Sequence, residues 1–271
     1  MIDGAIPYLR CPVCRDTLAR RERALRCPRG HSFDMARQGY ADLSAGRLPH
    51  TGDSADMVAD RADFLAAGHY SFIAGALAGH RTEGLVLDAG TGTGDYLARF
   101  LDASPAAIGL GLDVSKPALR RAARAHPRAA AVLADLWRPL PVADAVASVV
   151  LDVFAPRNGP EFHRVLHPDG VLLVVTPAAD HLAELITEYG LIQVDPDKAA
   201  RVGESLGGHF TLAETATHRR ELKLTAAEAR TLIGMTPSAR HVPVDDLPTH
   251  DVRVTAAVDV TVYRPLRPSR A

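Results

Sequence analysis

Lysine is scarce in this 271-residue sequence: Lys116, Lys198 and Lys223 are the only three among 31 basic residues, and the rest are arginine. The plain reading is a GC-rich genome that favours Ala, Arg and Gly codons. Apolar runs are short. None approaches the roughly 20 residues of a membrane-spanning helix, and the opening MIDGAIPYLRCPVC lacks the apolar core of a signal peptide. A cytoplasmic protein is the expectation. Only three cysteines are present, an odd number that argues against a disulfide framework in a reducing compartment. Repeats and low-complexity tracts are absent. With 47% apolar residues and a net charge of −1, wholly disordered and membrane-embedded classes are excluded. The length suits one ordinary α/β domain with a small appendage.

The small net charge conceals an uneven distribution. Between Arg10 and Arg37 there are eight arginines and only three acids (Asp16, Glu22, Asp34), a local excess of +5, whereas the remainder of the chain carries −6. A basic head on an acidic body points to a polyanion contact at the head. A solvated charged face would look the same by charge alone.

All three cysteines lie in that head. Cys11-x2-Cys14 is followed, twelve residues on, by Cys27-x3-His31. Two short chelating pairs of soft or borderline ligands suit tetrahedral zinc, and four ligands leave no open position, so the site is structural. A segment this small buries little core, so metal binding would supply its folding energy.

Residues 46–56 (GRLPHTGDSAD) read as a linker, and residues 57–79 as helical with a break near Gly68. Short apolar runs then alternate with helical stretches. The predicted strands are 85–90, 108–114, 130–135, 145–153 and 170–177, with helices in DYLARFLDA, KPALRRAARAHP and PEFHRVLHP. This alternation predicts an α/β fold with a mostly parallel sheet covered by helices on both faces. Period-two alternation over 250–265 predicts an antiparallel edge strand. The expected organisation is a zinc-binding head at 1–45, a linker and helical segment at 46–80, and a catalytic domain at 81–271.

The turn LDAGTGTGD follows the first of these strands and opens a helix. Asp88, Gly90, Gly92 and Gly94 alternate in it, and the glycines let backbone turn sharply against a ligand. A second strand ends in Asp113, where a carboxylate can grip a ribose diol. A third ends in Asp135, where a side chain could reach an adenine edge. The spacing is not the Gly-x-Gly-x-x-Gly of dinucleotide enzymes. It resembles motif I of class I S-adenosylmethionine methyltransferases, a Rossmann-like fold.

The combination is more specific than either part. The Cys/His head, CPxGHxFDxARxGYxxL (27–43), GDSADMVADRADFLAAGHY (52–70), GLDVSKPALRRAARAHP (111–127), VFAPRN (153–158), TPAADHLAEL (176–185) and MTPSAR (235–240) together resemble the RlmA-type family of 23S rRNA guanine-N1 methyltransferases over essentially the whole chain. The Gram-positive, TlrB-like branch, associated with macrolide (tylosin-type) resistance, is the most similar. The resemblance implies zinc on Cys11, Cys14, Cys27 and His31, and cofactor contacts from Gly90, Gly92, Thr93, Tyr70 and His181. The residues themselves add Asp88, Asp113 and Asp135. Read without the family, Tyr70 is equally a core residue and His181 a helix cap.

Methyl transfer requires an in-line approach and exclusion of water, and guanine N1 must lose its proton before or during transfer. The fourth strand ends at Asp152-Val153-Phe154. Phe154 could stack on the base or be a core residue, and Asp152 could accept the proton, bind the guanine edge, or be only a strand-end residue, since the family does not have an acid at that position. Arg120, Arg121, Arg124 and Arg128 recur at helical spacing, as a second RNA surface or a solvated face. The expected partner is 23S rRNA. A homodimer would enlarge the basic surface and is not required by the sequence. Two other classes stay open at this point: a small-molecule methyltransferase of natural-product metabolism, and a non-enzymatic RNA-binding factor that has kept the fold.

Overall fold

The computed structural model describes residues 2–49, 52–195, 197–240 and 247–267. Residues 50 and 51 of the expected linker lie outside them. The chain starts with a short helix, α1 (Ile2–Ala5), and a small antiparallel meander of β1 (Ala19–Arg21), β2 (Ala24–Arg26) and β3 (Ser32–Asp34). Strand β4 (Ala41–Asp42) then leaves the meander and joins the edge of the main sheet. Helices α2 (Ala55–Ala66) and α3 (Ser71–Ala78) flank Gly68, whose φ of +84° breaks the helix where the sequence predicted. The Ser54 hydroxyl caps α2 by accepting the Met57 amide.

The α/β body runs β5 (Gly84–Ala89), α4 (Asp95–Ala103), β6 (Ala107–Asp113), α5 (Lys116–Ala122), β7 (Ala129–Leu133), β8 (Ala147–Val153), α6 (Gly159–Val165) and β9 (Leu166–Pro177). It is completed by α7 (Ala183–Tyr189), α8 (Lys198–Gly207), β10 (Phe210–Leu224), α9 (Ala226–Gly234) and β11 (Val252–Pro265). The eight-stranded order is β10-β11-β9-β8-β5-β6-β7-β4. The six strands from β9 to β4 are parallel, and β11 and β10 are antiparallel additions.

Both faces of the sheet are covered, which is why its strands read as near-continuous apolar runs. On one face Leu85, Leu87, Leu110, Val132 and Val150 pack with Leu9, Leu25 and Leu43 of the head. On the other, Val86, Val149, Leu151 and Leu173 pack with Phe64 and Ile73 of α2 and α3, Phe100 of α4 and Ile233 of α9. The head is therefore docked, and Arg15 ties it further by donating to the carbonyls of Leu140 and Val142 at 2.6 and 2.9 Å.

Two expectations need correction. The 250–265 segment is antiparallel but not an edge: β11 lies between β9 and β10. The edge is β10, whose middle is exposed and polar on both faces and so carries no apolar alternation to announce it. Arg128 does not continue the arginine face of α5, because the helix ends at Ala122, ahead of Pro127. Its guanidinium instead donates to the carbonyls of Leu101, Ser104 and Ala107, clamping the end of α4.

Candidate functional site

Cys11, Cys14, Cys27 and His31 converge, with their candidate ligand atoms all within 4.8 Å of one another. Cys14 Sγ lies 3.7 Å from Cys27 Sγ, and His31 Nδ1 lies 3.6 Å from Cys11 Sγ and 3.3 Å from Cys27 Sγ. A tetrahedron with Zn–S bonds of about 2.3 Å has sulfur–sulfur edges of about 3.8 Å, so the donor set fits zinc as it stands.

The second site follows from topology. After β5 the chain builds β6 and β7 on one side, and then β8 on the other. The carboxyl ends of β5 and β8 therefore flank the switch point, where open α/β sheets bind ligands. A narrow cleft opens there. Gly90, Gly92 and Thr93 of the glycine turn form one wall, with Val153 and Phe154 from the end of β8 and Tyr70 from the α2–α3 corner around it. Gly90 has φ +79° and no room for a side chain, so glycine is required at this bend.

Of the three acids at strand ends, Asp88 and Asp113 brace this turn and Asp135 braces the segment after β7; none is among the residues that line the cleft. Asp88, 2% exposed, accepts the Thr91 hydroxyl at 2.6 Å. Burial raises its pKa to about 7; the Thr91 bond opposes the rise and Asp113 adds to it. Asp113 accepts the amides of Gly92 and Ser115 at 2.8 and 2.7 Å, which leaves lone pairs for a diol. Its pKa is raised by burial, against the pull of these amide bonds. Asp135 accepts the Trp137 amide at 3.0 Å and faces Arg138.

His181 stands behind Tyr70, its Nε2 3.4 Å from the hydroxyl. Its Nδ1 accepts the Ala257 amide at 3.2 Å, which fixes the proton of the neutral ring on Nε2, toward Tyr70. Burial lowers its pKa to about 4.

Phe154 holds a left-handed backbone, φ +54°, and is one of the few exposed large apolar residues at 38%. Its ring centroid is 6.1 Å from that of His181. A non-glycine residue in this region stores strain, and such strain concentrates at functional sites. The structure places Asp152 elsewhere: it is fully buried, with Arg157 Nη1 3.4 Å from its Oδ1, and is not among the cleft residues. Alternation explains this, because on β8 it points opposite to Leu151 and Val153.

Sequence reasoning missed Arg61, Leu65, Asp95, Tyr96 and Met235, all of which line the cleft. The i,i+4 pair Arg61/Leu65 on α2 and the position of Asp95 directly after the glycines were readable signals. Met235 offered none. Outside the cleft, Arg120, Arg121 and Arg124 are exposed and line a surface groove with Ala55 and Val58 of α2.

Comparison with known proteins matches both parts of the chain. Residues 9–45 match the family model described as RlmA, N-terminal, a zinc ribbon, and residues 86–170 match that of a methyltransferase domain. The chain is 45% identical to the 23S rRNA (guanine(748)-N(1))-methyltransferase of Streptomyces fradiae, over 98% of this chain and 100% of that one. It is 53% identical to a provisionally assigned 23S rRNA (guanine-N(1)-)-methyltransferase of Micromonospora griseorubida, over 96% and 98%. Among solved structures, the Haloferax volcanii complex of the Trm112 methyltransferase activator with its candidate methyltransferase aligns with a TM-score of 0.53 and 21% identity, over 82% of this chain and all of that one, which speaks for the fold. A zinc ribbon docked on a class I methyltransferase sheet, with identity of this level along the full chain, establishes that the protein belongs to the RlmA-type family of 23S rRNA (guanine-N1-)-methyltransferases.

Proposed function

We propose that this protein transfers a methyl group from S-adenosylmethionine to N1 of a guanine in a hairpin loop of 23S rRNA. The observation that carries the reading is the meeting of the glycine turn with the strained, exposed Phe154 at one switch-point cleft, in a chain whose other site is a basic zinc ribbon. When bound, S-adenosylmethionine supplies an electrophilic methyl group on a sulfonium. Gly90, Gly92 and Thr93 cradle it with backbone, Asp113 takes its ribose, and Asp88 and Asp135 hold the turns around it. Tyr70, backed by His181, closes the remaining wall.

Phe154 stacks on the splayed guanine and sets the line of attack. Asp152 fixes Arg157 at the strand end in this reading and does not take the N1 proton. Residues 1–45 act as the RNA-recognition unit, 46–80 cover the cleft, and 81–271 carry the chemistry. Arg120, Arg121 and Arg124 add phosphate contacts beside α2. The ribosomal substrate implies a cytoplasmic enzyme. Among the described residues no helix is long and apolar enough to cross a membrane. One chain suffices for this account, and a homodimer would only enlarge its basic surface. Likeness to the TlrB-like branch further suggests that the modification confers macrolide (tylosin-type) resistance.

The direct test is transfer of labelled methyl from S-adenosylmethionine to 23S rRNA from a strain lacking the enzyme. Saturable transfer supports the reading. Transfer to a metabolite with none to RNA at any salt concentration contradicts it in favour of a small-molecule substrate.

A further inference from the structure

Tryptophan occurs once in the chain, at position 137, and it is 59% exposed. A single exposed apolar side chain is ordinary on a protein surface; what sets this one apart is how it is held and what it stands between. Trp137 lies on the segment that joins β7 to β8, and the backbone around it is fixed. Asp135 Oδ1 accepts the Trp137 amide at 3.0 Å, and the Arg138 amide donates to the Asp135 carbonyl at 3.1 Å. At one end of the segment Leu136 reaches the glycine turn: a Cβ on Gly90 would stand 3.9 Å from its Cδ1. The Leu136 carbonyl accepts Asn158 Nδ2 at 2.7 Å, which ties it to the loop that carries Phe154. At the other end the zinc ribbon holds the segment. The Arg10 amide donates to the Pro141 carbonyl at 2.9 Å, and the Arg15 guanidinium grips the carbonyls of Leu140 and Val142. Arg138 donates to the carbonyls of Ser44 and Arg47 at 3.4 and 3.0 Å, where the chain leaves the ribbon. Trp137 is therefore an exposed aromatic on a braced segment between ribbon and cleft, outside the cleft lining, with part-exposed Arg138 and exposed Arg47 making its surround basic.

We propose that Trp137 is a second stacking platform, one that takes an unpaired base of the RNA beside the target guanine. The proposal rests on the 23S rRNA reading and adds to it a residue that sets the register between the ribbon's grip and the reacting base. Splaying a guanine into the cleft strips its neighbour of a stacking partner. An indole on rigid backbone just outside the cleft replaces that partner, and it does so for any base, because every base has a π face. The arginines beside it suit the phosphates that such a base brings with it. A protein partner would call for a wider apolar patch than one indole in a basic surround.

As the sole tryptophan, Trp137 reports on its own contact. Primer extension first identifies the hairpin that carries the methylated guanine; no stop at any guanine would overturn the rRNA reading and this proposal with it. Intrinsic fluorescence of the full wild-type chain is then followed on adding that hairpin, the same strand fully paired to its complement, or S-adenosylhomocysteine. Strong quenching by the hairpin is expected, with little from the duplex or from S-adenosylhomocysteine. In methyl transfer to the hairpin, Trp137→Ala is expected to raise KM about 5- to 150-fold, with a smaller effect on kcat, and Trp137→Phe to restore most of the loss. Thermal unfolding of both variants should match wild type, because the side chain is exposed. With a stop in hand, fluorescence indifferent to the hairpin, or a wild-type KM for Trp137→Ala, would overturn the proposal while leaving the rRNA reading intact. Equal quenching by the duplex would make the contact one with backbone rather than base, and quenching by S-adenosylhomocysteine alone would assign the indole to the cofactor's edge. Fluorescence that changes with protein concentration in the absence of RNA would assign it to a contact between chains. Each of these three results also overturns the proposal.

Discussion

Gly90, just past β5, and Ala155, just past β8, approach so closely that a Cβ on Gly90 would lie 2.6 Å from the Ala155 Cβ. This contact joins the two strand ends that frame the cleft. Gly90→Ala meets both a clash and a φ of +79°, and is expected to cost about 1–3 kcal/mol of stability and most of the S-adenosylhomocysteine affinity. The double variant Gly90→Ala/Ala155→Gly removes the clash and keeps the strain, so it should recover part of both. Thermal unfolding and calorimetry read the two effects.

The zinc ribbon shares its apolar cluster with the sheet through Leu9, Leu25 and Leu43, so metal loss should be felt beyond the head. Metal analysis should find one zinc per chain. Cys14→Ser or a strong chelator is expected to lower Tm by more than about 5 °C and to abolish methylation of RNA. S-adenosylhomocysteine affinity, which depends on the far ends of β5 and β8, should stay within a few-fold of wild type.

Burial of Asp88 raises its pKa from 3.8 to about 7. The folded chain therefore holds a proton there that the unfolded chain has released. Stability from this group is complete below pH 4 and is lost as pH rises to about 7, by up to about 4 kcal/mol. His181, lowered from 6.5 to about 4 by burial, works in the opposite sense: its contribution is present above pH 6.5 and lost as pH falls toward 4. Asp88→Asn should remove the first slope and leave the second. Urea midpoints from pH 4 to 8 would show the variant gaining on wild type as pH rises. A constant difference between them would refute the assignment.

Phe154→Ala removes the proposed stacking face. Base–aromatic stacking is worth about 1–3 kcal/mol, so kcat/KM on RNA should fall roughly 5- to 150-fold, while Phe154→Trp keeps most of the rate. Because φ at this position is +54°, Phe154→Gly should leave the fold as stable as wild type or more so despite equal loss of activity, a combination that a core residue would not give.

The chemistry was legible where a residue type is scarce and its spacing rigid. Three cysteines and one histidine in two chelating pairs admit little but zinc, and the alternating glycines of 90–94 require a tight turn at a strand end. The parallel strands β5 to β9 were legible because both faces are buried and the apolar runs are unbroken. The order of β10 and β11 was not, because an exposed, polar edge strand has no pattern and the insertion of β11 is a long-range pairing. Met235 escaped because it reaches the cleft from the end of α9, far in sequence from the glycine turn. Asp152 lies outside the cleft lining because alternation on β8 turns it away from its neighbour Val153.

Methylation at guanine N1 blocks Watson–Crick pairing and stops reverse transcriptase. Primer extension on 23S rRNA from cells with and without this gene therefore tests the central claim most directly. The account predicts one new stop, at a guanine in a hairpin loop, which disappears when Phe154→Ala or Cys14→Ser replaces the wild-type gene. No stop at any guanine, from a folded protein carrying its zinc, would contradict it.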